Sequence, residues 1–119
     1  MKRILICEDE SDVQESMANI LIKRKYEVYA AKDGEEAISQ TRKINPALIL
    51  LDIRMPKFDG LEVAKQIRGF NLKTKIIFIT GFQSPELTKE AAKYDIVNYI
   101  HKPTSTKEII DVVNEALNK

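Results

Sequence analysis

The sequence predicts an α/β domain: a doubly wound, parallel sheet of five strands in the order 2-1-3-4-5, with helices on both faces. Three observations predict it. Apolar runs alternate with amphipathic stretches along the whole chain, without repeat, low-complexity tract or linker. Several of the runs are apolar almost without a break, as strands covered on both faces should be. The length, 119 residues, suits one compact domain over residues 1–119 and leaves no room for two. Parallel crossovers are right-handed, so helices reach both faces only if the strand order reverses. That reversal makes the first and third strands neighbours, and ligands bind at the carboxyl ends of strands at such a point.

Each element is justified in turn. The strands are expected at Ile4–Cys7, Val28–Ala31, Ala47–Leu51, Ile76–Ile79 and Ile96–Ile100. Between them, Ser11 with Gln14, Asp33 with Glu36, Asp59 with Glu62 and Ser105 with Glu108 have capping-box spacing. Ser84 followed by Pro85 reads as an N-cap with proline at the first helical position. Helical stripes follow each start. They are Val13, Met17, Ile20 and Leu21; then Ala37, Ile38, Thr41 and Ile44; then Leu61, Ala64, Ile67 and Arg68. Leu87 with Ala91 marks the fourth helix, and Ile109, Val113, Ala116 and Leu117 mark the last.

Composition narrows the function. Lys and Arg number 19 against 18 for Asp and Glu, a net charge of +1. Such a chain has no global electrostatic reason to coat nucleic acid or an anionic membrane. No run approaches the ~20 apolar residues of a membrane span, and the opening MKRILICEDE turns acidic too soon for a secretory signal. One cysteine, Cys7, excludes an internal disulfide and suits a reducing cytoplasm.

The chemistry is expected at the strand ends. Glu8 and Asp9 follow the first strand, and Asp52 follows the third. In the order 2-1-3-4-5 these carboxylates converge, and like charges at close range need compensation. Carboxylate oxygens at a partly wet crest suit Mg2+, or Mn2+, and the backbone carbonyl of Arg54 adds a further oxygen. Thr80 after the fourth strand and Lys102 after the fifth supply a hydroxyl and an ammonium. An acidic cluster with one lysine and one threonine suits a phosphoryl group on Asp52. Taken singly, each of these residues reads as a turn, a cap or a solvated loop; their conjunction at separate strand ends carries the argument.

At these residues the chain resembles the receiver domain of two-component response regulators, a flavodoxin-like (βα)5 fold. The matching segments are ILICEDE, AKDGEEAI, LILLDIRMPKFDGLEV, IIFITG and NYIHKP. The resemblance implies that Asp52 is the phosphoacceptor and that Glu8, Asp9 and the Arg54 carbonyl hold the metal. It implies that Thr80 is the switch hydroxyl, Tyr99 the aromatic that follows it, and Lys102 the phosphoryl-pairing lysine, with a cis Lys102–Pro103 bond. Departures from the pattern are Glu8 for an aspartate, Gly81 for a small alanine or serine, Asp95 for a glycine and His101 before the lysine. Arg54 and Phe82 stand where access of the hydrolytic water is shaped.

The implied function is a phosphorylation-dependent switch or phosphorelay intermediate. It is no enzyme beyond catalysing its own phosphorylation and dephosphorylation. The implied partners are a sensor histidine kinase or histidine phosphotransfer protein, docking near the first helix, and a downstream protein target. The target would read the face of Lys89, Lys93, Tyr94, Tyr99 and Lys107. No direct contact with nucleic acid or membrane is expected, and the expected form is a cytoplasmic monomer, with dimerisation on activation left open; a stand-alone regulator is favoured over an excised receiver. Three rivals stand beside it. An aspartyl-phosphate phosphohydrolase usually needs a second acid where Arg54 stands. A flavin or nucleotide binder needs a phosphate cradle where Glu8-Asp9-Glu10 stands. A receiver-fold interaction module would not be phosphorylated at all.

Overall fold

The computed structural model describes residues 1–55, 57, 59–81, 84–102 and 104–118. Strands β1 (Arg3–Cys7), β2 (Glu27–Ala31), β3 (Leu48–Asp52), β4 (Lys75–Thr80) and β5 (Ile96–His101) alternate with helices α1 (Ser11–Lys23), α2 (Gly34–Ile44), α3 (Gly60–Arg68), α4 (Pro85–Ala91) and α5 (Thr106–Leu117). The sheet is parallel throughout, in the order β2-β1-β3-β4-β5. The runs that are nearly unbroken in the sequence, β1, β3 and β4, are the interior strands. The edges β2 and β5 are only part-buried.

Side chains alternate across a strand, so each interior strand feeds two cores. Leu5, Cys7, Ile49, Leu51, Ile76 and Phe78 pack with Ala37, Val63, Ala64, Ile67 and Ala91 of α2, α3 and α4. Ile4, Ile6, Leu48, Leu50, Ile77, Ile79 and Ile100 pack with Met17, Leu21, Ile109, Val113 and Leu117 of α1 and α5. Cys7 lies fully inside the first core, and burial pushes its thiol well above the ordinary range, so it packs as a small hydrophobe.

The helix starts follow local chemistry with one correction. Asp33, Asp59, Ser84 and Ser105 each cap their helix, accepting from the amides of Glu36, Glu62, Leu87 and Glu108. The capping box expected at Ser11 does not form. Glu10 occupies the N-cap with no side-chain cap bond, and the Gln14 amide turns instead to two carbonyls. Arg68 also departs from its stripe. Its guanidinium donates to the carbonyls of Tyr94 at 2.7 Å, Asn71 at 3.1 Å and Asp95 at 3.2 Å, tying α3 to the turn before β5. Asp95 holds the left-handed conformation expected of a glycine substitute, with φ 56°.

Gly60 is required by close approach. Its N–H donates to the Ile53 carbonyl at 2.7 Å, and a Cβ there would sit 2.7 Å from the Ile53 Cα. Gly60→Ala is therefore expected to cost roughly 2–3 kcal/mol, because the clash is with backbone that cannot turn aside. A shift of the urea midpoint measures it; an unchanged midpoint would show that the β3–α3 connection yields freely.

Candidate functional site

The parallel register brings the strand ends together. Cys7 pairs with Leu51 and Asp52 with Ile79, so Glu8 stands one step beyond the β1–β3 ladder beside Asp52. Parity then sorts the side chains. Glu8, Asp52 and Lys102 lie two residues beyond Ile6, Leu50 and Ile100, all members of the α1–α5 core. Thr80 lies two residues beyond Phe78, in the opposite core with Tyr99.

The first group meets in one cluster. Lys102 Nζ donates to Glu8 Oε1 at 3.0 Å and to Asp52 Oδ2 at 2.9 Å. Asp52 Oδ1 accepts the Arg54 amide at 3.0 Å. Glu8 Oε2 accepts the Glu10 amide at 3.3 Å. Glu8 is 1% exposed and Asp52 5%, whereas Asp9 is exposed at the rim. Carboxylate oxygens of Glu8, Asp9 and Asp52 all lie within 4.8 Å of one another.

Electrostatics follow from burial. Desolvation pushes Glu8 up to about 7; the Lys102 ammonium pulls it down, and the neighbouring Asp52 raises it further. Burial opposes the charge of Lys102, but its bonds to Asp52 and Glu8 outweigh that and hold its pKa above the ordinary lysine value. Three carboxylates against one ammonium leave a surplus of negative charge. All their donor atoms are hard oxygens, so the set fits a small divalent cation such as Mg2+.

A cavity of about 370 Å3 opens on this cluster, lined by Asp9, Glu10, Asp52, Arg54, Thr80, Gly81 and Lys102. Thr80, 5% exposed, thus opens on the same space as Asp52 from the other side of the sheet. Tyr99 is half-buried, with its ring edge-on to Phe78 at a centroid distance of 6.0 Å. A larger cavity, about 600 Å3, runs between α1 and α5 past Val13, Met17, Ile20 and Ile109, and shares Glu10 and Lys102 with the first. Every sequence-expected site residue is therefore at the crest except Tyr99, which stands behind Thr80 on β5. Phe82 and the Lys102–Pro103 bond lie outside the described residues.

The response regulator receiver domain profile matches residues 4–114. The chain belongs to the response regulator receiver family. This receiver is 28% identical over 117 residues to chemotaxis protein CheY of Bacillus subtilis, covering 98% of each chain. It is 31% identical over 117 residues to regulatory protein AtoC of Escherichia coli, covering 98% of this chain and 25% of that one. It is 29% identical to transcriptional regulatory protein PdtaR of Mycobacterium tuberculosis, of which it spans 58%. Its fold matches a CheY-like receiver domain protein from Methanospirillum hungatei with a TM-score of 0.95 at 28% identity, covering 99% of this chain and 94% of that one. Receiver domains are signalling switches rather than ordinary enzymes. Among the described residues of this receiver, no helix is long and apolar enough to cross a membrane.

Two contributions to the receiver's crest are invisible in the sequence. Gln14 reads there as half of a capping box, yet its amide bonds the carbonyls of Glu8 and Ala31. Lys57, in a left-handed conformation at φ 72°, reaches Glu35 at 3.5 Å and Asp33 at 3.8 Å, joining the loop after Asp52 to α2. A lysine in a loop carries no pattern that announces such a tie.

Proposed function

We propose that this domain, residues 1–119, accepts a phosphoryl group from a partner phosphohistidine onto Asp52 and works as a two-component switch or relay intermediate. The supporting observation is the meeting of Glu8, Asp9 and Asp52 oxygens within 4.8 Å, with Lys102 bridging two of them. Glu8, Asp9, Asp52 and the Arg54 carbonyl would hold the cation. Once bound, it supplies charge neutralisation to the phosphoryl oxygens.

The remaining work falls to the chain. An Asp52 carboxylate oxygen forms the new P–O bond while the P–N bond of the partner's phosphohistidine breaks, and the imidazole departs with the electron pair. Lys102, already bonded to Asp52, swings its ammonium to the transferred group. Thr80 donates its hydroxyl to a phosphoryl oxygen. Tyr99, on the same side of the sheet, follows into the space Thr80 leaves, repacking α4, β5 and α5. Water attack on phosphorus returns the off state, with Arg54 at the rim of its approach.

The kinase or phosphotransfer partner docks along the α1–α5 groove, which shares Glu10 and Lys102 with the site. Downstream readout uses the face of Lys89, Lys93, Tyr94, Tyr99 and Lys107. Lys93 and Lys107 already pair locally, with Glu90 at 3.3 Å and Asp111 at 2.7 Å, so Lys89 and the two tyrosines carry more of that recognition. The cytoplasm, where sensor kinases present phosphohistidine, is the expected compartment.

Intact mass after treatment with a small acyl phosphate and Mg2+ tests the reading. One phosphoryl group is expected on the wild type and none on Asp52→Ala. No gain on the wild type would leave an interaction module. Rapid multiple turnover of a small phosphate ester would instead indicate a phosphohydrolase.

A further inference from the structure

The β1–α1 turn carries Glu8 and Asp9, and it lacks the side-chain cap that starts the other four helices of the fold. Something else must hold it. Gln14 is half-buried one turn into α1, and its Nε2 lies 3.1 Å from the Glu8 carbonyl and 3.1 Å from the Ala31 carbonyl. A carboxamide NH2 has two N–H bonds, and here each has one acceptor. The Ala31 carbonyl also accepts the Glu8 amide at 3.0 Å, so the end of β2, the acidic turn and α1 share one junction.

We infer that Gln14 is a positioning residue for the cation site: its amide pins the Glu8 carbonyl to the end of β2, and so sets where the Glu8 and Asp9 carboxylates point. The inference rests on the divalent-cation reading above. With Gln14, Glu8 is held at its amide, its carbonyl and both carboxylate oxygens. Without it, the carbonyl between the two acids is released and the peptide that follows can rotate. Outer groups that orient metal ligands typically change affinity by tens of fold.

Two substitutions separate positioning from charge. Gln14→Met keeps the side chain's length and removes both donors. Gln14→Glu keeps its shape, offers only acceptors to two carbonyls, and adds negative charge near the site. Coulomb attraction alone predicts tighter Mg2+ binding by Gln14→Glu; positioning predicts weaker binding by both variants. Calorimetric titration with Mg2+ at pH 8 is expected to give roughly tenfold weaker affinity for each. Without metal, hydrogen exchange at the Glu8 and Glu10 amides should quicken in Gln14→Met while the β3 and β4 amides keep their protection.

Wild-type affinity in Gln14→Met, or tighter binding in Gln14→Glu, would overturn the assignment. Unchanged exchange at the Glu8 and Glu10 amides in Gln14→Met would overturn it too. A wild type that binds no Mg2+ would sink the cation reading itself. A wild type that binds normally beside an indifferent Gln14→Met would sink only this inference.

Discussion

Lys102→Met is expected to lower the stability of the EDTA-treated protein by about 2–3 kcal/mol at pH 8, and by much less at pH 5. The reason is what the ammonium holds together. Glu8 is almost wholly inaccessible, and its Oε1 has Lys102 at 3.0 Å; the same nitrogen lies 2.9 Å from Asp52 Oδ2. Removing one partner of a buried pair leaves a desolvated charge, which is why truncation usually costs about 3–5 kcal/mol. The Lys102 side chain is 31% exposed, so water already screens part of the attraction and the cost falls below that range. At pH 5 the Glu8 carboxyl of the variant carries its proton, and most of the loss disappears. Added Mg2+ should restore part of it at pH 8, because a cation then returns to the carboxylates. Urea unfolding at the two pH values, with and without Mg2+, measures this. An equal loss at both pH values would show that Lys102 acts through packing of its stem rather than through charge.

The second large effect is the pH dependence of the wild type. Glu8 has its folded pKa raised to about 7 from an ordinary 4.5, chiefly by burial. The folded state therefore binds this proton more tightly than the unfolded chain does. Stability from this group is full below about pH 4.5 and is lost as pH rises to about 7. A carboxyl held near 7 rather than near 4.5 corresponds to about 3 kcal/mol, lost across that window in EDTA. Lys102, its pKa raised, keeps its charge throughout the window and adds no slope there. Saturating Mg2+ should flatten the curve, since the cation favours the ionised carboxyl. Stability that climbed with pH between 5 and 7 in EDTA would contradict the raised Glu8 pKa. A curve identical with and without Mg2+ would contradict the cation site.

Much of this was legible in the residues. The five strands fall within a residue of the apolar runs, the interior β1, β3 and β4 most plainly, because strands covered on both faces must be apolar on both. Four of the five helix starts follow their capping residues, because an N-cap bond is made within four residues of chain. The carboxylates, Thr80 and Lys102 were legible for a topological reason: a strand end is visible in sequence, and right-handed crossovers leave few ways to order five strands. The third stripe omits Val63, which is fully buried and shares helical spacing with Ala64 and Ile67, so the period itself carries it. It includes Arg68, whose guanidinium binds the carbonyls of Tyr94 and Asp95, and periodicity carries no information about partners so far along the chain.

Local hydrogen bonding and periodic burial, which act over a few residues, are thus written into the chain itself: the element order, the caps at Asp33, Asp59, Ser84 and Ser105, and the candidate acids of the crest. Only the folded sheet decided that Lys102 spans Glu8 and Asp52, 94 and 50 residues away, that Gln14 leaves its expected cap for the carbonyls of Glu8 and Ala31, and that Glu8 loses its water. Those outcomes depend on strand register and on the exclusion of solvent between layers. Neither exists until distant segments have packed.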